Sequence, residues 1–283
     1  MGRLSGDSLR LLAFGFAFAF FSSFGQTFYI AVFGGEIRQA FGLTHGAFGA
    51  VYSGATLLSG FLMIRVGGLM DRVPLRSYAV AAVFGLMAAN LALGLTGNVV
   101  GLGLAILLLR LFGQGMMTHA AVTAMARSFD RGRGRAISFA TLGHPVGQAV
   151  FPALGVVALG LYGWRAAWFL GAAVCAVVAL PLAAGLLRNG LGNPAKNPSP
   201  ARFVAWRFLT RREMILATPA LMAPAFTGTA IFFHQVLIGE VKGWNAADFA
   251  WGGGEQYRVT TKLMDGYAQV AEKAGVRKWI GAC

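Results

Sequence analysis

Seven stretches of the chain are apolar for about 20 residues or more, and turns rich in arginine or glycine close them. They fall at 11–33, 47–66, 78–97, 99–126, 136–160, 165–187 and 214–239. A helix of about 20 apolar residues covers the roughly 30 Å of hydrocarbon in a bilayer. The pattern therefore predicts an all-α membrane protein with about seven transmembrane helices. The first stretch is too long for a signal-peptide core and lacks a clear small-residue cleavage site, so it reads as a retained span. The fourth is long for one crossing and is expected to tilt or to project beyond the bilayer.

Positive charge orders these stretches. Assigning the loops alternately to two sides puts fifteen Lys and Arg residues on the side of the N-terminus and three (Arg38, Arg165 and Lys242) on the other before the tail. Such a bias places the N-terminus in the cytoplasm. Residues 1–187 then form a six-helix bundle and 188–213 a basic cytoplasmic linker. That linker is broken by Pro194, Pro198 and Pro200 and carries Trp206, which suits a stretch lying along lipid headgroups. Residues 214–251 hold the seventh span and the loop after it. The tail, 252–283, opens on Gly252-Gly253-Gly254 and turns polar; Val259, Leu263, Tyr267, Val270 and Ala274 recur in it at helical spacing.

Composition agrees. Hydrophobic residues make up 57% of the 283 and charged residues 12%, too apolar for an ordinary soluble domain. The 40 glycines suit closely packed membrane helices. The net charge of +14 follows the loops and sets orientation, so nucleic acid is not an expected partner. The two cysteines, Cys175 and Cys283, give neither a disulfide framework nor a metal-ligand spacing. No cofactor or metal is expected. No G-x-x-x-x-G-K-[ST] loop occurs, so an ion gradient (protons or another coupling ion) or the solute's own gradient would have to drive any transport.

Gly67-Gly68-Leu69-Met70-Asp71-Arg72-Val73-Pro74-Leu75-Arg76, between the second and third stretches, resembles the signature loop of the major facilitator superfamily, loosely G-x-x-x-D-R-x-G-R-[KR]. Gly67, Asp71 and Arg72 match; Pro74 stands where glycine is usual, and Arg76 alone keeps the later basic pair. Arg110-Leu111-Phe112-Gly113-Gln114-Gly115 resembles the family's R-x-x-x-Q-G pattern in its fourth span. Arg131-Gly132-Arg133-Gly134-Arg135 resembles the basic turn before its fifth, and Gly163-Trp164-Arg165 the opening of its sixth. The resemblance implies a major-facilitator-type helical bundle and alternating-access transport. It also implies a cytoplasmic gate in which Asp71 pairs with Arg127 or Arg131 and stabilises one access state. The family has twelve spans, and the resemblance stops near Trp251. A truncated, frameshifted or fused product is therefore expected, with the second transporter half missing. Such a half would work as a dimer or be an inactive fragment.

Arg110 is the charged side chain placed deep in a span. A central arginine costs on the order of 2.5–3.5 kcal/mol on insertion scales and must face a cavity or a partner. No carboxylate within a span is available to it. Two readings stay open: a cation that attracts an anionic solute, or an arginine satisfied by carbonyls that fixes packing. On an ideal helix Arg110, Gln114 and Thr118 form one polar stripe, with His119 on the opposite face. Span one offers Ser22, Gln26 and Tyr29 on one face, span two Tyr52, Thr56 and Ser59, and span five Thr141, His144 and Gln148. Each face can line a solute cavity or bond to a neighbouring helix. The expected solute contacts are Arg110, Gln114, Gln26, Tyr29, His144 and Gln148. The expected gating loop is Gly67, Asp71, Arg72, Arg76, Arg127 and Arg131. Arg110 and the histidines favour an organic anion, and the layout resembles monocarboxylate and oxalate/formate carriers within the superfamily, which implies a monocarboxylate. Gly143 and Gly147 form a G-x-x-x-G step that reads as close packing. The family's antiporter motif is not reproduced, which counts against drug or proton antiport. An intramembrane enzyme would need a nucleophile with its base, or paired acids, and the spans hold neither. A retinal protein would need a lysine within 214–239, and none is there. A sensor stays open.

Overall fold

A computed structural model describes residues 5–192 and, beyond them, residues 211, 212, 215, 218, 219, 223 and 227–229. Most of the linker, most of the seventh stretch and all of the tail lie outside the described residues. The chain divides into two compact units, Met1–Asn197 and Pro198–Cys283. Among the described residues there are helices and no strand.

Among the described residues five helical stretches are long and apolar enough to cross a membrane: Gly6–Val32, His45–Asp71, Leu75–Leu95, Val99–Ser128 and Arg133–Leu186. The first four are spans 1 to 4 here. The last has 54 residues, about 80 Å of helix against about 30 Å of hydrocarbon. It is two helices divided at Gly163, whose φ of 77° and ψ of 166° only glycine adopts without strain. Residues 133–162 are span 5 and 164–186 are span 6.

The contacts show how the chain reverses there. Before Gly163, Gly143 lies against Phe16 and Phe20, Gly147 against Phe20 and Ser23, and Gly155 against Tyr29 and Phe33. Span 5 thus climbs alongside span 1 in the same direction. After the turn Trp168 meets Tyr29 and Phe33, Gly171 meets Phe24, and Gly192 meets Leu11, so span 6 descends. The small residues of the G-x-x-x-G step sit where span 5 touches span 1. Added Cβ atoms there would run into backbone or Ser23, as expected where contact and not water exclusion holds helices together.

Local chemistry starts and stops the spans. Thr44 caps the N-terminus of span 2 by accepting from the Ala47 amide at 3.2 Å, and Asn98 caps span 4 by accepting from Gly101 at 2.8 Å. Pro74 precedes span 3, a place that tolerates its missing N–H. Spans 3 and 6 run antiparallel and are tied at both ends. Arg165, at the start of span 6, donates from Nη1 to the carbonyls of Gly94 (3.0 Å) and Thr96 (2.7 Å) at the end of span 3. Arg76, at the start of span 3, donates from Nε to the Ala184 carbonyl near the end of span 6 at 3.2 Å.

The interior is aromatic and small: Phe14, Phe18, Phe33, Leu86, Ile106 and Trp168 are fully buried among alanines and glycines. Leu57, Phe61 and Ile64 on span 2, and Leu154, Val157 and Leu161 on span 5, point outward and are exposed. Large apolar side chains facing outward, with alanine and glycine where helices approach closely, suit a lipid solvent.

Candidate functional site

Span 1 is not one helix. Its first part ends at Phe21, Ser22–Gly25 tighten into a 3₁₀ turn, and Gln26 is extended (φ −89°, ψ 151°) before the helix resumes at Thr27. In an unbroken helix the Tyr29 amide would donate to the Gly25 carbonyl. Here it donates to Gln26 at 3.2 Å, and the Gly25 oxygen is left to another partner.

Span 4 supplies that partner. From Arg110 to Met117 it widens into a π-helical turn, a feature that recurs at functional sites. The turn lies against the break, with Gly113 facing Gly25 backbone to backbone. A Cβ on Gly25 would sit 2.8 Å from the Gly113 Cα and 2.9 Å from the Gln114 nitrogen. Arg110 Nη1 donates to the Gly25 carbonyl and to Thr27 Oγ1, each at 3.2 Å. Tyr52, from span 2, donates to the same Thr27 oxygen at 2.9 Å, and its ring centroid lies 5.5 Å from the guanidinium carbon.

Arg110 is 5% exposed. Among the described residues no acceptor reaches its Nε, and the ion pairs are Arg10–Asp7, Arg127–Asp71 and Arg133–Asp130, none of them with Arg110. A buried cation is thus held by a carbonyl, a hydroxyl and an aromatic face, with no ion-pair partner among the described residues.

The break changes the expected faces. Ser22, Gln26 and Tyr29 do not share a helical stripe, because the chain changes direction between them. Ser22 bonds back to the Ala19 carbonyl at 2.7 Å and receives Gln26 Nε2 at 3.4 Å. Tyr29, expected to face solute, is turned into an aromatic cluster with Phe24, Phe33, Phe151 and Trp168 and is 4% exposed. The π turn likewise undoes the stripe from Arg110 through Gln114 to Thr118: Arg110 is buried, Gln114 is exposed, and no partner reaches the buried Thr118 hydroxyl among the described residues. His144 and Gln148 are half-buried on span 5. His144 packs edge-on against Phe28 at 5.6 Å, one residue beyond Thr27.

The loop after span 2 forms a second cluster. Arg127, at the end of span 4, donates to the Asp71 carboxylate and, at 3.0 Å, to the Met70 carbonyl. Of the two arginines considered as partners of Asp71, Arg127 is the one that meets it. The pair borders a 540 Å³ cavity lined by Gly60, Met63, Gly67, His119 and Thr123. Gly67 leaves room for His119, whose Nε2 would lie 3.7 Å from a Cβ there. Arg72 and Arg131 are exposed, and Arg76 is engaged with span 6.

Gly25 and Thr27 escaped the sequence reading. Their signal was the run Ser22-Ser23-Phe24-Gly25-Gln26-Thr27, small and polar in the middle of an apolar span.

No curated protein matches the chain. The family model described as Major Facilitator Superfamily matches residues 15–254, which takes in all six spans, the loop with Asp71 and the crossing at Arg110. The chain therefore belongs to the Major Facilitator Superfamily and is a multi-pass membrane protein that moves a small solute across the bilayer.

Proposed function

We propose that the protein is a secondary transporter for a small organic anion, such as a monocarboxylate, bound at Arg110 and released by alternating access. The observation that carries this reading is the buried, carboxylate-free guanidinium, placed mid-span against a broken helix. Intramembrane ionisable groups mark solute or ion pathways, and broken spans commonly form transport sites. Gln114, Gln26, His144 and Gln148 supply polar contacts around the anion. Tyr29 is not among these contacts, because its ring packs against Phe24, Phe33, Phe151 and Trp168.

Asp71 and Arg127 form the gate pair, close to Gly67, with Arg72, Arg76 and Arg131 as the surrounding positive charge. The pair ties the end of span 2 to the end of span 4, so it stabilises the access state in which those ends meet. The arginine bias supports a cytoplasmic N-terminus in a plasma membrane, the bacterial inner membrane in a bacterium. A gradient of protons or another ion, or that of the solute, drives the cycle.

Uptake into proteoliposomes holding the full chain tests this. L-lactate and formate are expected to enter faster than glycerol or choline, and Arg110→Gln is expected to remove the difference. Equal uptake of neutral and anionic solutes, or anion uptake that survives Arg110→Gln, contradicts the proposal.

A further inference from the structure

We infer that Thr27 is a positioning residue for Arg110: with the Gly25 carbonyl it anchors one guanidinium nitrogen in the break of span 1, leaving the Nε edge to meet a planar oxyanion. The anion part rests on the reading of Arg110 proposed above; the anchoring part rests on geometry alone.

A guanidinium has five N–H groups in a fixed plane, two of them on Nη1. Both Nη1 hydrogens are engaged, one by Gly25 and one by Thr27. Two bonds from one nitrogen, to acceptors on either side of Gln26, fix the plane as well as the position. The Thr27 hydroxyl accepts from both Arg110 and Tyr52, which occupies its two lone pairs. Tyr52 thereby holds the hydroxyl that holds the arginine.

What remains on the guanidinium includes Nε, buried and without an acceptor among the described residues. A buried donor left unmade is costly. Carboxylates pair with arginine through two parallel N–H bonds, so a carboxylate fits this edge and relieves that cost. The same anchor ties the site to the backbone. The Gly25 oxygen has lost its helical donor, and Arg110 replaces it. Whatever disturbs the guanidinium therefore disturbs the break. An arginine that served packing alone has no need of an unsatisfied Nε donor; an arginine held at Nη1 to receive an anion does.

Two measurements on the full chain test the inference. The first needs no solute: amide hydrogen exchange over residues 22–30, in wild type, Thr27→Val, Thr27→Ser and Arg110→Gln. Loss of a hydrogen bond from a charged donor is expected to speed exchange about tenfold or more in Thr27→Val and Arg110→Gln. Thr27→Ser, which keeps the hydroxyl, is expected to stay at the wild-type rate. Unchanged exchange in both Thr27→Val and Arg110→Gln overturns the anchor. The second measurement is L-lactate uptake. A loosened guanidinium binds less well before it transports less well, so Thr27→Val is expected to raise KM about tenfold with kcat nearly kept, and Thr27→Ser to restore KM. Faster exchange with an unchanged KM makes Thr27 merely structural and overturns the positioning role. If wild type carries no lactate while exchange behaves as described, the anchor stands and the organic-anion reading falls.

Discussion

Arg110 and Arg165 both reach across to the backbone of another span, and they do so for different reasons. Arg165 sits at a helix start, half-buried beside Trp164 with its guanidinium carbon 4.4 Å from the ring centroid, and bonds the carbonyls that end span 3. Helix ends always leave carbonyls without intrahelical donors, so Arg165 completes an end that exists in any case. Arg110 sits mid-span, and the carbonyl it reaches is free only because span 1 breaks at Gln26. A staple at a helix end stabilises at no local expense. A buried cation at a broken helix requires an interrupted main-chain ladder and a desolvated charge, and intramembrane charges mark functional places.

The contrast extends to the helices. Span 3 is a continuous helix from Leu75 to Leu95, tied to span 6 at both ends. Spans 1 and 4 are each irregular where they cross, one by a break and one by a π turn, and glycine faces glycine between them. The first pair acts as a frame. In the second, a main-chain carbonyl of span 1 is bonded by a side chain of span 4 in place of its helical donor.

Substitutions at each place separate frame from crossing. The largest effect is expected from Gly25→Ala. Its new methyl meets the backbone of span 4, which cannot give way as a side chain would. Stability in detergent is expected to fall by about 3 kcal/mol and lactate uptake to be lost; a variant that melts like wild type would show that the crossing is looser than described. Arg165→Gln is expected next, with about 2 kcal/mol lost from thermal unfolding while uptake per folded molecule stays near wild type. Third, Arg127→Asp opposes the Asp71 carboxylate with a like charge. Uptake is expected to slow about fivefold or more, and the exchanged pair Asp71→Arg with Arg127→Asp to recover part of it. An exchanged pair no better than the single change removes the gate role. The smallest effect is expected from Tyr52→Phe, which keeps the ring against Arg110 and loses the hydroxyl that bonds Thr27, about 1 kcal/mol in thermal unfolding.

Much of this was legible in the sequence because it depends on long patterns. Span lengths follow from hydropathy, and the turn between spans 5 and 6 from Gly163-Trp164-Arg165. The pairing of Asp71 with Arg127 or Arg131 follows from the family resemblance, and the structure selects Arg127. The crossing was hidden because it depends on one residue. Gln26 carries no mark of an extended backbone, and with no proline nearby the run from Ser22 to Tyr29 looks helical. Assuming a helix put Tyr29 on the solute side; the break turns it into the aromatic cluster. A stripe through Arg110, Gln114 and Thr118 assumed 100° per residue, which the π turn does not keep. Arg110 itself was legible, since a charge among leucines is conspicuous, but its partners Gly25 and Thr27 are chosen by a bend that no periodicity records.

The most direct test sets the two arginines side by side: lactate uptake per folded molecule in proteoliposomes, with Arg110→Gln and Arg165→Gln measured against wild type. Removing a buried charge from its contact with solute is expected to lower uptake about a hundredfold in Arg110→Gln, while Arg165→Gln transports at nearly the wild-type rate. Equal loss in both variants, or full uptake with Arg110→Gln, would contradict the division of this protein into a frame and a working crossing.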